Sequence, residues 1–200
     1  MKPIQIQRLL APAFTLVLAF TLAGCLFSPD SKTGGDDVEV VEPINAENVL
    51  DLLIDSYVAK EIDRYSGLFD TVQYTFRFDR TDVENDPDLD PSWGWPEELT
   101  STKNMFESEL VLGITLDFVK GDTEFARESD GEGVSLEWRK VICTEIELEI
   151  DTIDPDGGEN IIYKVAGDRA MYFFETYPEE LIDGQPRWRI VEWRDIRVGP

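Results

Sequence analysis

Asp86, Asp88, Asp90 and Glu97 are the acidic side chains whose spacing most invites a chemical reading. Counted from Asp86 they fall at positions 1, 3, 5 and 12, the ligand spacing of a calcium-binding loop. Pro91 stands where such a loop turns sharply on glycine, and a helix predicted to open at Pro96 would begin inside it. The stretch therefore reads as a solvated Pro/Asp loop rather than a metal site. Asp154, Asp156 and Gly157 have the composition of a hairpin turn. Glu145, Glu147 and Glu149 alternate along a strand pattern and read as its wet face. A paired-carboxylate site would need convergence from another strand. The chain has no histidine. That excludes Ser-His-Asp and Cys-His catalysis, histidine-ligated zinc and imidazole acid–base chemistry. No residue is assigned a catalytic, cofactor or metal role.

The aromatic residues offer a different chemistry. Tyr57, Tyr65, Phe76, Trp138 and Tyr172 are candidates for lining a ligand pocket. Aromatic rings bury large apolar areas, and several phenols together can orient a ligand with an apolar body and a polar group. Trp93 and Trp95 flank Gly94; exposed, they would form a contact surface for a partner or a membrane interface, and the preferred reading is that they cover the open end of the fold.

The elements that must position these residues follow from periodicity. Asn45 is an N-cap for a helix whose apolar face is Val49, Leu50, Leu53 and Tyr57. A second helical segment is predicted over Lys60 to Leu68. Tyr74, Phe76 and Phe78 alternate as a strand, residues 84–96 read as a loop, and a third helix starting at Pro96 carries Leu99, Met105 and Phe106. Three strand patterns come next. The first alternates through Leu110, Leu112, Ile114, Leu116 and Phe118. The second puts Leu136, Trp138, Ile142, Ile146, Leu148 and Ile150 on one face, and Cys143 with the glutamates on the other, a place that is not deeply buried. The third runs from Ile161 to Tyr177 with a bulge at Gly167-Asp168. A last strand spans Arg187 to Val198. Helices followed by long antiparallel strands make an α+β fold, with helices on one face of a curved sheet.

The N-terminus has its own signature. Lys2 and Arg8 precede an apolar run from Leu9 to Leu22, too short for a spanning helix of about 20 residues. Leu22-Ala23-Gly24-Cys25 then resembles the lipobox of a bacterial lipoprotein signal peptide. The resemblance implies cleavage after residue 24, lipidation of Cys25, and anchoring to a membrane rather than spanning it. Leu26, in place of aspartate, implies the outer membrane over the inner. Residues 25–44, rich in Ser, Gly, Pro and Asp, read as a flexible acidic tether. Residues 45–200 form the folded domain.

The formal charge is −24, and residues 1–24 hold two of the 18 basic and none of the 42 acidic side chains. A domain this acidic repels nucleic acid. Once Cys25 is lipidated, Cys143 has no internal disulfide partner.

Local stretches also resemble the nuclear-transport-factor-two-like, or SnoaL-like, cone fold. They are residues 53–65 (Leu-Ile-Asp-Ser-Tyr-Val-Ala-Lys-Glu-Ile-Asp-Arg-Tyr), Tyr74-Thr75-Phe76-Arg77-Phe78, Tyr163-Lys164-Val165-Ala166-Gly167 and Trp188-Arg189-Ile190-Val191-Glu192-Trp193-Arg194-Asp195. The resemblance implies a cone-shaped curved antiparallel sheet packed with about three N-terminal helices, after the cleaved signal peptide. It covers isomerases, dehydratases, cyclases and binding or adaptor domains, so it leaves activity open. The expectation is a lipid-anchored, non-catalytic domain of the bacterial cell envelope that binds a small apolar or amphipathic ligand or an envelope protein. The alternatives are an isomerase or dehydratase using Asp/Tyr acid–base chemistry, and a homodimeric adaptor. A buried Asp with a raised pKa beside a Tyr in an open cavity marks the enzyme; a filled cone marks the adaptor.

Overall fold

A computed structural model describes residues 41–154 and 160–197. Cys25, the signal peptide and most of the tether lie outside the described residues.

The first helix, α1 (Ala46–Ala59), starts where Asn45 Oδ1 accepts from Asn48 N–H at 2.8 Å. It ends on Lys60 in the left-handed conformation. Its buried face is Ala46, Val49, Leu50, Leu53, Ser56 and Tyr57, the stripe the sequence predicts extended by two small residues. Helix α2 (Ile62–Ser66) is shorter than the predicted Lys60–Leu68 segment. Strand β1 (Thr75–Arg77) leads into a short helix, α3 (Arg80–Asn85), capped by Asp79, whose side chain accepts from Thr81 N–H. The 84–96 segment is therefore not all loop. Its last residues form β2 (Ser92–Gly94), which pairs antiparallel with β1. Helix α4 (Trp95–Glu107) follows directly, with Pro96 in its first turn and Glu97 Oε2 accepting from Gly94 N–H at 3.2 Å.

Long strands complete the molecule: β3 (Val111–Lys120), β4 (Glu124–Phe125), β5 (Arg139–Thr152), β6 (Ile161–Ile182) and β7 (Gln185–Ile196). The order across the sheet is β2-β1-β7-β6-β5-β3, with β4 added on β5. Neighbours are antiparallel except β1 and β7, which run parallel. The fold is α+β, with helices packed on one face of a curved, largely antiparallel sheet, as the sequence implies.

Bulges create the curvature. In β5 the register breaks between Cys143 and Ile146, and Glu145 sits at φ 55. Opposite it in β6, Gly167 takes φ 84 at the position where the sequence places a bulge. A bulge adds one residue to a strand and bends it. It also swaps the faces on which residues lie, which corrects the reading of Cys143. Val141 and Cys143 point into the helix-covered core, Cys143 is 0% exposed, and Ile142 faces outward. Beyond the bulge Ile146, Leu148 and Ile150 take over the inner face. A register break between Val111 and Gly113 does the same in β3, so Val111, Ile114, Leu116 and Phe118 are buried while Leu110 and Leu112 are exposed.

The main core lies between the helices and the inner sheet face. A smaller cluster on the outer face joins Ala126, Phe173 and Val191, with Trp138 against Phe173.

Candidate functional site

Two acidic centres, one buried and one half-buried, lie on the inner side of the sheet, and they differ in how their charge is met.

The first is Glu98, one turn into α4 and 4% exposed. Helical spacing puts Glu98, Thr102 and Phe106 on the buried stripe of α4. Tyr65 Oη donates to Glu98 Oε1, and Thr102 Oγ1 donates to the same oxygen at 3.1 Å. Tyr74 Oη at 3.2 Å and Trp93 Nε1 at 3.1 Å donate to Oε2. The carboxylate thus has four donors, drawn from α2, the approach to β1, β2 and α4. Burial is the main reason the Tyr65 and Tyr74 hydroxyls are held well above their ordinary pKa, with the Glu98 charge adding to it. Trp95 packs over Tyr65, Phe69 and Tyr74, and Trp93 over Phe76 and Phe78. Trp93 lies in β2 and Trp95 opens α4, so neither is a loop residue, and both are half-buried against these rings.

The second centre is a cavity of about 170 Å³. Its apolar walls are Leu116 of β3, Ile146 and Leu148 of β5, and Val165 and Ala170 of β6. The β5 bulge puts Ile146 and Leu148 there, and Ala170 leaves the space a larger side chain would fill. Its aromatic side is Tyr57, Phe76, Tyr172 and Trp193. The Trp193 ring lies 5.0 Å from Tyr172 and 5.4 Å from Phe76, centroid to centroid. Asp168 and Asp195 complete the lining, which contains neither lysine nor arginine. Burial first, and then the charges of Asp168 and Asp82, push the Asp195 carboxyl up to about 6. Arg197, two residues further along the chain, is paired with Asp82 at 2.7 Å. Tyr172 is 1% exposed, and its hydroxyl has no hydrogen-bond partner among the described residues; burial holds it well above its ordinary pKa. Tyr57 links the two centres. It lines the cavity, and its ring packs edge-on against Tyr65, which bonds Glu98.

Of the five aromatic residues singled out from the sequence, the structure brings Tyr57, Phe76 and Tyr172 to the cavity. Tyr65 is not on it; it is a core residue bonded to Glu98. Trp138 is on the opposite sheet face, because the turn of chain before β5 leaves it against Phe173. Sequence reasoning missed Trp193, Asp168, Asp195 and Glu98. The signal for Asp195 was available: it follows Trp193 by two residues on a strand, so it shares its face. Asp86 bonds its own loop, accepting from Asp88 N–H at 3.1 Å. A larger hollow of about 360 Å³ beside α1 is polar, and its one lining cation, Lys120, is paired with Asp51 at 2.5 Å.

No protein-family profile matches the chain, and no curated protein sequence does. Among solved structures, the chain is similar to a candidate dehydratase of the NTF2-like family from Streptomyces avermitilis. The two are 13% identical, with 76% of this chain and 93% of that one covered and a TM-score of 0.47. It is also similar to a candidate SnoaL-like polyketide cyclase from Shewanella denitrificans, at 14% identity, 75% and 88% coverage and TM-score 0.39. A type 2 hexachlorocyclohexane dehydrochlorinase, LinA, matches at 10% identity, 76% and 82% coverage and TM-score 0.42. At these identities the likeness reaches neither substrate nor activity.

Proposed function

We propose that this chain is a lipid-anchored ligand-binding domain of a bacterial cell envelope, held by Cys25 and taking a small molecule into the cavity between α1 and the bulged sheet. The observation that carries the binding reading is the cavity itself: apolar and aromatic walls with a few polar groups at fixed places, the usual make-up of a small-molecule site. Its volume is below the roughly 300 Å³ at which drug-sized sites begin. It is close to the roughly 150 Å³ that suffices for benzene in an apolar cavity. The ligand is therefore small, or inserts only one end. The anchor rests on the lipobox at Leu22–Cys25 and the tether that follows it.

Native mass spectrometry of the purified chain tests the binding reading. Excess mass that leaves on activation supports it, and a clean mass from every preparation contradicts it. Cys25→Ser tests the anchor: the variant should leave the membrane fraction, and retention there would refute lipidation at this site.

One observation favours a second reading, acid–base catalysis. Asp195, with its raised pKa, lies in an open cavity beside Tyr172. Under that reading a ligand recovered from the protein is chemically changed on renewed incubation with it, and Asp195→Asn abolishes the change. An unaltered ligand favours binding alone.

A further inference from the structure

The cavity lining is uneven in charge. Apolar and aromatic side chains make up most of it, the charged groups are Asp168 and Asp195, and no cation is among them. A carboxylate held in an apolar setting has lost hydration, and an unpaired one is unfavourable there. Glu98, a short distance away in the fold, shows how this protein neutralises a buried carboxylate when it serves structure: four donors converge on it. Among the described residues no side-chain donor is bonded to Asp195, and only the Ile196 backbone N–H eases its charge. The Arg197 guanidinium is paired with Asp82, and its backbone N–H is donated to Asp79 Oδ2. Arg194, the next residue along β7, lies on the other sheet face with Glu192 and Phe173. The rings that face this charge are Trp193, Phe76 and Tyr172. Indole is the strongest of the aromatic faces for a cation, and Phe and Tyr add to it. The unpartnered Tyr172 hydroxyl, 1% exposed, supplies one more polar atom at the cavity wall.

We propose that the cavity takes a small organic cation: a protonated amine on an apolar body about the size of one six-membered ring. The ammonium sits at Asp168 and Asp195, and the apolar body lies against Trp193, Phe76, Leu148 and Val165. The proposal rests on the reading of the cavity as a ligand site. An anion is disfavoured by both carboxylates, and a neutral molecule of the same shape leaves them unpaired.

Benzylammonium, benzyl alcohol and benzoate share one ring and differ in charge. Each is titrated calorimetrically into the full chain in detergent at 0.15 M salt, with detergent alone as the blank. Benzylammonium should bind at least tenfold more tightly than benzyl alcohol, and benzoate more weakly than either. The Asp168→Asn/Asp195→Asn double variant should lose that preference while its affinity for benzyl alcohol stays within a few-fold. Lowering the pH to 5 should shrink the preference in the parent chain. The groups facing Asp195 are Asp168 on β6, Asp82 on α3, Asp79 ahead of α3 and Tyr172 on β6, and none supplies a positive charge in its place. Equal binding of alcohol and ammonium overturns the cation assignment and leaves the cavity as a ligand site. Binding of none of the three overturns both. A preference that survives in the double variant means general attraction to an acidic chain, and also overturns the proposal.

Discussion

Glu98, buried, and Asp195, half-buried, are carboxylates on the same side of one sheet, and they are treated in opposite ways. Glu98 is encircled by Tyr65, Tyr74, Trp93 and Thr102 and ties four segments of chain together. Asp195 faces another aspartate across an apolar cavity and gains no side-chain donor. The first arrangement satisfies a buried charge fully, which fixes structure. The second leaves a charge whose balance must come from a proton or a ligand. The contrast separates the part of the fold that holds shape from the part that is open to binding.

The largest effect should come from breaking the satisfied centre. Glu98→Ala leaves two phenols, an indole and a hydroxyl without their acceptor, and should cost about 3 kcal/mol. For a domain of this size that lowers the melting temperature by roughly 10 °C in thermal denaturation followed by circular dichroism. A loss below a few degrees would show that the four donors find other partners.

Asp195→Asn should act in the opposite direction. The folded protein raises the Asp195 midpoint from 3.8 to about 6, so it binds that proton more tightly than the unfolded chain does. Stability linked to this group is present below pH 4 and falls as the pH rises to 6. After allowance for solvent screening of a partly exposed group, the charged carboxyl costs about 1 kcal/mol at pH 7.5. The variant should therefore melt a few degrees higher at pH 7.5 and match the parent at pH 4. A variant less stable at pH 7.5 would mean that Asp195 has a partner after all.

Bulge geometry sharpens the comparison further, since it builds the cavity but not the Glu98 cage. Gly167→Ala forces an L side chain into φ 84, with no atom within 4 Å to clash, so the cost is conformational alone. It should be about 1 kcal/mol by urea denaturation, with ligand affinity reduced as the Ile161–Ala166 stretch of β6, which carries Val165, shifts. An unchanged midpoint would show that the strand relaxes out of the bulge. The smallest effect is chemical: in a Cys25→Ser chain, Cys143, whose thiol burial pushes up to about 12, should resist maleimide at pH 8 until the protein unfolds. Rapid labelling of the folded chain would contradict its place in the core.

Much of the frame was legible in the sequence because it follows local periodicity. The α1 stripe, the Asn45 cap, Pro96 at the start of α4 and the Gly167 bulge are each written in a few neighbouring residues. The β5 bulge was not, since Glu145 adopts positive φ without a glycine to announce it. That one residue moved Cys143 from the wet face to the core. The β2 strand was hidden because three residues gain their hydrogen bonds only from β1, a tertiary partner. Tyr57, Phe76 and Tyr172 could be named as candidates from residue type, but Tyr65 and Trp138 are the same type in other surroundings. Glu98 could not be singled out, because Thr102 and Phe106 mark the buried stripe only once the packing of α4 is known.

The most direct test is the pH titration of the Asp195 side-chain carboxyl carbon by NMR, in the free protein and with saturating benzylammonium. The expected midpoint is near 6 in the free protein, lowered clearly when the cation is bound. A midpoint at the ordinary 3.8, unmoved by the cation, would contradict an unpaired carboxylate awaiting a ligand.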